Sequence, residues 1–393
     1  MTDTATAASP ARLLEAAEAL VPALRDSARE AELAGRLTDD AISGFRDAGF
    51  FTAMRPTEAG GAAIGLGTFI DITRTLARGD ASAGWVGGFL ISHQWLLSRL
   101  PLKTQAEIFD DGPGLAAAAA APPGAAERVD GGYLVTGRWR FASAIRHANW
   151  VIVSAMGPAG PLAVVANVNE GRRIDTWQVP GMKATGSDDF ELDGTFIPGT
   201  RVVGFLQYAS RENEGASAYP EYEALQYPMY RVLSLIHGAV AVGTAEAALE
   251  LFPAAVAKRI RPGSGQPVLE EPETAAAYGE ATQLTLTARL LLDDAVARTE
   301  RLYARGTADP SVEELALLNL ETSGSGTDAL RAVDVLVQGA GASVMRDGTP
   351  LEIICRNTQV MRNHIVLDWR HTQRLAGRIR LGLGMGVDAD AQY

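Results

Sequence analysis

The chain has 393 residues, 47% of them apolar, enough to bury a substantial core in one multi-part domain or in two or three smaller ones. Its 35 basic and 47 acidic residues give a net charge of −12 with no long basic run, which argues against nucleic acid or an anionic membrane surface as a partner. The single cysteine, Cys355, excludes an internal disulfide and any multi-cysteine zinc site, and within the apolar run 351–355 it reads as a small buried hydrophobe.

The start, Met1-Thr2-Asp3-Thr4, lacks the basic flank and apolar stretch of a signal peptide. No segment reads as the ~20 apolar residues that cross a bilayer, so a cytoplasmic location is expected. Over 11–99 the pattern is helical, with Leu13, Leu14, Ala17, Leu20, Val21 and Leu24 at spacings of three and four. Thr38-Asp39-Asp40 offers an N-cap for a helix carrying Ile42 and Phe45, and Arg55 to Gly61 breaks regularity before a helix over 67–77. Between 115 and 205 the composition shifts to β-branched and aromatic residues. Short strands are expected at 133–136, 150–154, 162–166 and 174–177, with Asp130-Gly131-Gly132 as a turn. The apolar stretch 116–121 has no assignable period. Long helical patterns return at 228–257, 272–305, 312–339 and 351–381, the first two separated by the Pro-Gly break 261–267. The expected organisation is a helical domain over 1–114, a β domain over 115–212 and a helical bundle over 213–393.

Three blocks carry chemistry. The first, Gly137-Arg138-Trp139-Arg140-Phe141-Ala142-Ser143-Ala144-Ile145-Arg146-His147-Ala148-Asn149-Trp150, reads as a strand ending in a Ser-centred turn that feeds the next strand. The second is Val179-Pro180-Gly181-Met182-Lys183-Ala184-Thr185-Gly186-Ser187-Asp188-Asp189, a polar turn followed by Phe196-Ile197-Pro198. The third is Gly84-Trp85 with Ile91-Ser92-His93-Gln94-Trp95, and the partner of the first block lies more than two hundred residues later, at Arg356-Asn357-Thr358-Gln359-Val360-Met361-Arg362-Asn363-His364.

With the α–β–α order, these blocks resemble the acyl-CoA dehydrogenase fold superfamily over nearly the whole chain. Within it, the chain is most similar to the oxygenase components of two-component flavin monooxygenases. The superfamily's flavin-side strand, Lys-x-Trp-Ile-Thr-Asn, falls in register with Trp139 to Ala144. The monooxygenase pattern Trp-x-Phe-Ser-Ser-Gly, then His-Ala and an aromatic, matches Trp139, Phe141, Ser143 and His147-Ala148-Asn149-Trp150, with Ala142 and Ala144 replacing the first Ser and the Gly. The second block is similar to the family's Gly-Met-x-x-Thr-Gly-Ser segment. At the two positions where dehydrogenases carry a Glu base, the chain reads Arg362-Asn363-His364-Ile365-Val366 and Met229-Tyr230-Arg231. Neither holds a carboxylate, and His364 falls where monooxygenase relatives carry a catalytic His.

The resemblance implies an α+β fold: an N-terminal helical domain, a central β-barrel-like domain and a C-terminal four-helix bundle, assembled as a homotetramer. It implies a diffusible reduced FAD or FMN from a separate reductase, reaction with O2 through a C4a-hydroperoxyflavin, and hydroxylation of a phenol- or indole-like ring. The alternatives are N- or S-oxygenation of an amino sugar, amine or thiophene, and an acyl-CoA dehydrogenase-like flavoprotein. Ser143 would bond near flavin N5, Trp139 and Phe141 would exclude water, and Ala142, Thr185 and Ser187 would line the cofactor. Arg261 would meet its phosphate from a neighbouring subunit, His364 would take a substrate proton, and His93 would orient the substrate.

Other residues have plainer readings. His364, Asp368 and His371 sit at i, i+4 and i+7, one face of a continuous helix, but no Glu-x-x-His occurs, so a di-iron bundle is not expected. His147 reads as a hydrogen bond fixing its turn, and His237, on the apolar helix 232–242, as structural. Gly324-Ser325-Gly326 and Gly339-Ala340-Gly341 lack the third Gly and the preceding strand of a dinucleotide loop, so no nicotinamide site is expected.

Overall fold

In the computed structural model, which describes residues 9–110, 112–261 and 265–386, five helices come first. These are α1 (Pro10–Ala34), α2 (Asp39–Asp47), α3 (Leu66–Gly79), α4 (Ala81–Leu97) and α5 (Leu102–Phe109). The start of α2 is capped as the sequence suggests, Thr38 Oγ1 accepting Ala41 N–H at 3.3 Å, and that of α4 by Asp80, which accepts Ala83 N–H at 2.9 Å. In α4 every residue except Phe89 is buried. Its glycines make that possible, since a Cβ on Gly84 would stand 2.5 Å from that of Ala77 on α3. This close approach carries Trp85, Phe89 and His93 into the middle of the protein.

Seven strands follow: β1 (Ala116–Val129), β2 (Gly132–Ala142), β3 (Trp150–Gly157), β4 (Gly160–Asn167), β5 (Arg172–Ile174), β6 (Asp188–Pro198) and β7 (Val202–Gly204). They form one sheet in the order β5-β6-β2-β1-β3-β4-β7, with β1 and β3 parallel and the other neighbours antiparallel. The unassigned apolar stretch 116–121 is the start of β1, buried at Ala116, Ala117 and Ala119 and paired with β3 over 116–119. The strand expected at 174–177 is corrected: only Ile174 is in β5. Beyond it the backbone N–H groups of Thr176 and Trp177 turn to the Asp188 carboxylate at 3.3 Å, so a side chain replaces the ladder.

The C-terminal part comprises α6 (Phe205–Ala209), α7 (Glu214–Ala218), α8 (Met229–Val256), α9 (Pro272–Leu302), α10 (Val312–Ala340), α11 (Pro350–Met361) and α12 (Trp369–Arg380). By length and composition α8 could cross a bilayer, against the expectation that no segment would, yet 78% of its most apolar window is buried among the other helices. It is a core helix. Helices before and after the sheet share one core, in which Phe69, Leu90, Ile236 and Val333 pack together, while the sheet keeps a second around Val135, Trp139, Val164 and Phe190.

The single helix expected over 351–381 is broken. His364 accepts Val366 N–H at 3.3 Å and caps a short 3-10 turn at Ile365–Leu367; Asp368 then accepts His371 N–H at 3.1 Å and caps α12. Two side chains spent as caps end one helix and start another, so His364, Asp368 and His371 share no helical face.

Candidate active site

At the end of β2 the chain enters a strained turn. Phe141 and Ala144 have φ of 62° and 65°, and Met182, in the loop packed beside them, has 53°. These are three of the four non-glycine residues with positive φ among the described residues. Strain of this kind persists only where surrounding structure enforces it, and it gathers at functional sites. Here it turns Ser143 toward the second block. Ala144 N–H bonds Thr185 O at 2.9 Å, Ser143 Oγ lies 2.8 Å from Ser187 Oγ, and that lies 2.7 Å from Thr185 Oγ1, which donates to Met182 O at 2.9 Å.

The second block is itself held from α11. Asn357 Oδ1 accepts Met182 N–H at 2.6 Å, Arg356 donates to Pro180 O at 2.6 Å, and Arg356 also pairs with Glu32 of α1. Next in the chain, Asp188 is fully buried between Arg146 and Arg173. Burial would raise its carboxyl, but the two guanidiniums outweigh burial and hold it below the usual range.

Facing the hydroxyls is a cluster of aromatic rings. Trp85 Nε1–H donates to Ser143 Oγ at 3.0 Å. The same indole packs edge-on to His237, centroids 4.9 Å apart, and to His364 at 5.6 Å. The two imidazoles stack at 3.9 Å with their Nε2 atoms 3.2 Å apart. Phe89 joins Trp85, His237 and His93 at 5.5, 5.9 and 5.4 Å. His93 is 1% exposed, and its Nδ1 bonds Ala116 O at 2.6 Å. Burial pushes His364 and His93 down to about 4 and His237 well below the ordinary value, so all three are neutral at pH 7.

A cavity of about 220 Å³ opens beside this cluster, between α8, α10 and α12. Its wall includes Ser234, one turn before His237, and Ile365 and Val366, which follow His364. Arg231 also lines it, buried and hydrogen-bonded to Asn319.

The structure thus gathers Ser143, Thr185, Ser187, His93 and His364 at one place. Phe141, 64% exposed, lies edge-on to Trp177 at its border, and Ala142 is a buried residue of β2. Trp139 is corrected: its indole is fully buried in the sheet core, donating to Ser154 O at 2.7 Å, and offers no face to a ligand. Arg261 lies beyond α8, where Glu271 is its counter-ion within the chain. His147 does not fix its turn through Nε2, which is buried without a partner; its backbone N–H does so, on Ala144 O at 2.9 Å. His237, read as structural, stands at the centre of the cluster. Its one sequence signal was a polar residue interrupting an apolar helix.

The family model for the acyl-CoA dehydrogenase C-terminal domain matches residues 235–369. The oxygenase component of the FADH2-dependent resorcinol hydroxylase of Rhizobium sp. (strain MTP-10005) is 30% identical over 387 residues, covering 95% of this chain and 94% of that protein. The chain belongs to the oxygenase components of two-component flavin-dependent monooxygenases. The oxygenase subunit HsaA of Rhodococcus jostii is 28% identical, covering 93% of this chain and 97% of that protein. The crystal structure of the HsaA monooxygenase from M. tuberculosis superposes with a TM-score of 0.88 at 25% identity, covering 96% of this chain and 99% of that one. The fold of this monooxygenase is that of the acyl-CoA dehydrogenases.

The residues present fit a flavin. An exposed phenylalanine in a left-handed conformation, beside a second aromatic ring and a chain of buried hydroxyls, presents a flat apolar face with a hydroxyl at its edge. Phe141, Ser143, Thr185 and Ser187 would hold the ring system.

Proposed function

We propose that this oxygenase component hydroxylates a phenol-like ring, taking reduced FAD or FMN from a separate reductase. When bound, the reduced flavin supplies the electrons and activates O2. The chain's residues orient, exclude water and handle a proton. Ser143 Oγ accepts from Trp85, and because Thr185 donates to Met182 O, the Ser187 hydrogen can go to Ser143. In that arrangement the Ser143 hydrogen is left to donate outward, to the flavin edge. Phe141 and Trp177 cover the site from water, which strengthens each polar contact inside it.

His364, neutral at pH 7, accepts the phenol proton and makes the ring a better nucleophile. His93 orients the substrate, and the cavity beside Ile365 takes the remainder of the molecule. The observation that carries this reading is the coupling of a neutral imidazole pair to the Ser143 hydroxyl through one indole, where dehydrogenases place a carboxylate. Amines and thioethers attack oxygen through a lone pair and need no such acceptor, which favours the phenol over N- or S-oxygenation. Support for the substrate class comes from the resorcinol hydroxylase relative.

The test supplies chemically reduced FAD or FMN and O2, and counts hydroxylated product and hydrogen peroxide per flavin oxidised for resorcinol-like phenols, indoles and thiophenes. Product from phenols alone is expected; product from thiophenes but not phenols overturns the reading. A homotetramer is also proposed, supported by the exposed row Tyr278, Leu286 and Leu290 on α9, with Arg261 meeting the flavin phosphate of a neighbour. Light scattering checks it, and a monomer at micromolar concentration would count against both.

A further inference from the structure

His237 and His364 touch through their Nε2 atoms at 3.2 Å, and the outer nitrogen of each ring has a backbone partner. His237 Nδ1 lies 3.1 and 3.3 Å from the carbonyls of Leu233 and Ser234. Carbonyls only accept, so Nδ1 carries the hydrogen and Nε2 is bare. His364 Nδ1 stands 3.3 Å from Val366 N–H, which only donates, so that nitrogen is bare and the hydrogen of the neutral ring is on Nε2. The two assignments agree: a hydrogen on His364 Nε2 meets a lone pair on His237 Nε2. With the other His364 tautomer, two hydrogens would oppose each other at Val366 and two lone pairs would oppose each other between the rings.

The ring planes are 28° apart and overlap, so the contact fixes ring position by stacking as well as by polarity. Trp85 bears edge-on against both rings and Phe89 against His237, which closes the other directions in which the pair could turn.

We propose that His237 is the positioning residue of this site: it fixes His364 in the Nε2–H tautomer and thereby makes His364 Nδ1 the atom that accepts the substrate proton. The 3.3 Å bond from Val366 is long and yields when a stronger donor arrives. In the step, the phenol O–H bond breaks, its electron pair stays on oxygen, and the proton joins His364 Nδ1 to give an imidazolium whose Nε2–H still points at the His237 lone pair. The proposal rests on the hydroxylase reading for the source of that proton, but the tautomer does not.

The test is 15N spectroscopy of histidine-labelled protein without flavin or substrate, with the His364 signals assigned by their loss in His364→Asn. In the wild type, His364 should show a bare Nδ1 and a protonated Nε2. His237→Phe, which keeps a stacked ring but no acceptor, should shift His364 toward the Nδ1–H form, and His237→Gln, whose amide oxygen can accept, should restore it. Product per flavin oxidised should fall roughly tenfold in the Phe variant and recover in the Gln variant, a part of the 10²–10⁴-fold that positioned acid–base help contributes, with KM little changed. A wild-type His364 protonated on Nδ1, or identical His364 signals in the wild type and the Phe variant, overturns the proposal. Absence of any phenol product with the expected tautomer in place would instead sink the hydroxylase reading.

Discussion

Two neutral groups do the work at the residue scale, and they can be separated by mutation. Ser143→Ala removes the hydroxyl that receives the Trp85 N–H and can donate to the flavin edge, so hydrogen peroxide per flavin oxidised should rise while folding is nearly unchanged. If coupling of flavin oxidation to product stays at the wild-type level, Ser143 is only a turn residue. His364→Ala should leave flavin oxidation by O2 intact and lose most product, by roughly 10²-fold or more. Unchanged hydroxylation there would move the proton-accepting role to His93. Ala144, at φ 65°, stands where the family pattern has Gly. A left-handed conformation costs an L-residue ~1–2 kcal/mol, more than the entropy that Gly adds to the unfolded chain. Ala144→Gly should therefore hold or raise the melting temperature, although Ala→Gly normally lowers it; a drop of several degrees would refute the strain.

Among the elements, the loop 180–187 is held from α11 as well as from the turn after β2. Asn357, 4% exposed, supplies the acceptor for Met182 N–H at 2.6 Å, and Gly181 lies so close to α11 that a Cβ would stand 2.1 Å from Arg356 O. Asn357→Ala leaves that amide unpaired, costing ~1–3 kcal/mol, and should displace Thr185 and Ser187. Denaturant unfolding and the peroxide yield check this together: a stability loss with coupling intact would mean that the loop is held by other contacts. Both ends of this clamp were legible as motifs. That they touch was not, because residues 175 positions apart meet only once the loop before β6 has packed on α11.

For the whole molecule, buried neutral histidines set the response to acid. Burial holds His93, His147 and His364 at about 4 and His237 well below its ordinary value, against ~6.5 in the unfolded chain. Between those values the unfolded chain binds protons that the folded chain does not, so stability is full above pH ~6.5 and is lost as pH falls toward 4. Asp80 opposes this: burial raises its folded value to about 6, so the folded chain takes up its proton first and gains stability as pH falls through that range. Burial raises the Glu321 and Asp328 carboxyls in the same opposing sense, but the four histidines set the balance between pH 7 and pH 5, since a tenfold difference in proton affinity between folded and unfolded chain is worth ~1.4 kcal/mol at each. The melting temperature should fall steadily from pH 7 to pH 5, and a flat profile would show that the histidines are solvated.

Length, periodicity and caps determined the helices, because spacings of three and four and residues such as Thr38 act locally. The motif blocks determined the family, since Trp139 to Ala144 and the missing carboxylates at 229–231 and 362–366 are properties of order in the chain. Only the tertiary structure decided which of those residues face a ligand. Trp139 and Phe141 are two apart in one motif, and strand alternation alone would turn both to the same face; the left-handed φ at Phe141 and the register shift between Trp139 and Ala142 break that alternation, so one lies in the sheet core and the other is exposed. His237 reads as one polar residue in an apolar helix, and it becomes part of the site because α4, α8 and the break before α12 bring three aromatic surfaces together. A side chain's partner across 127 positions is fixed by packing, which no local pattern records.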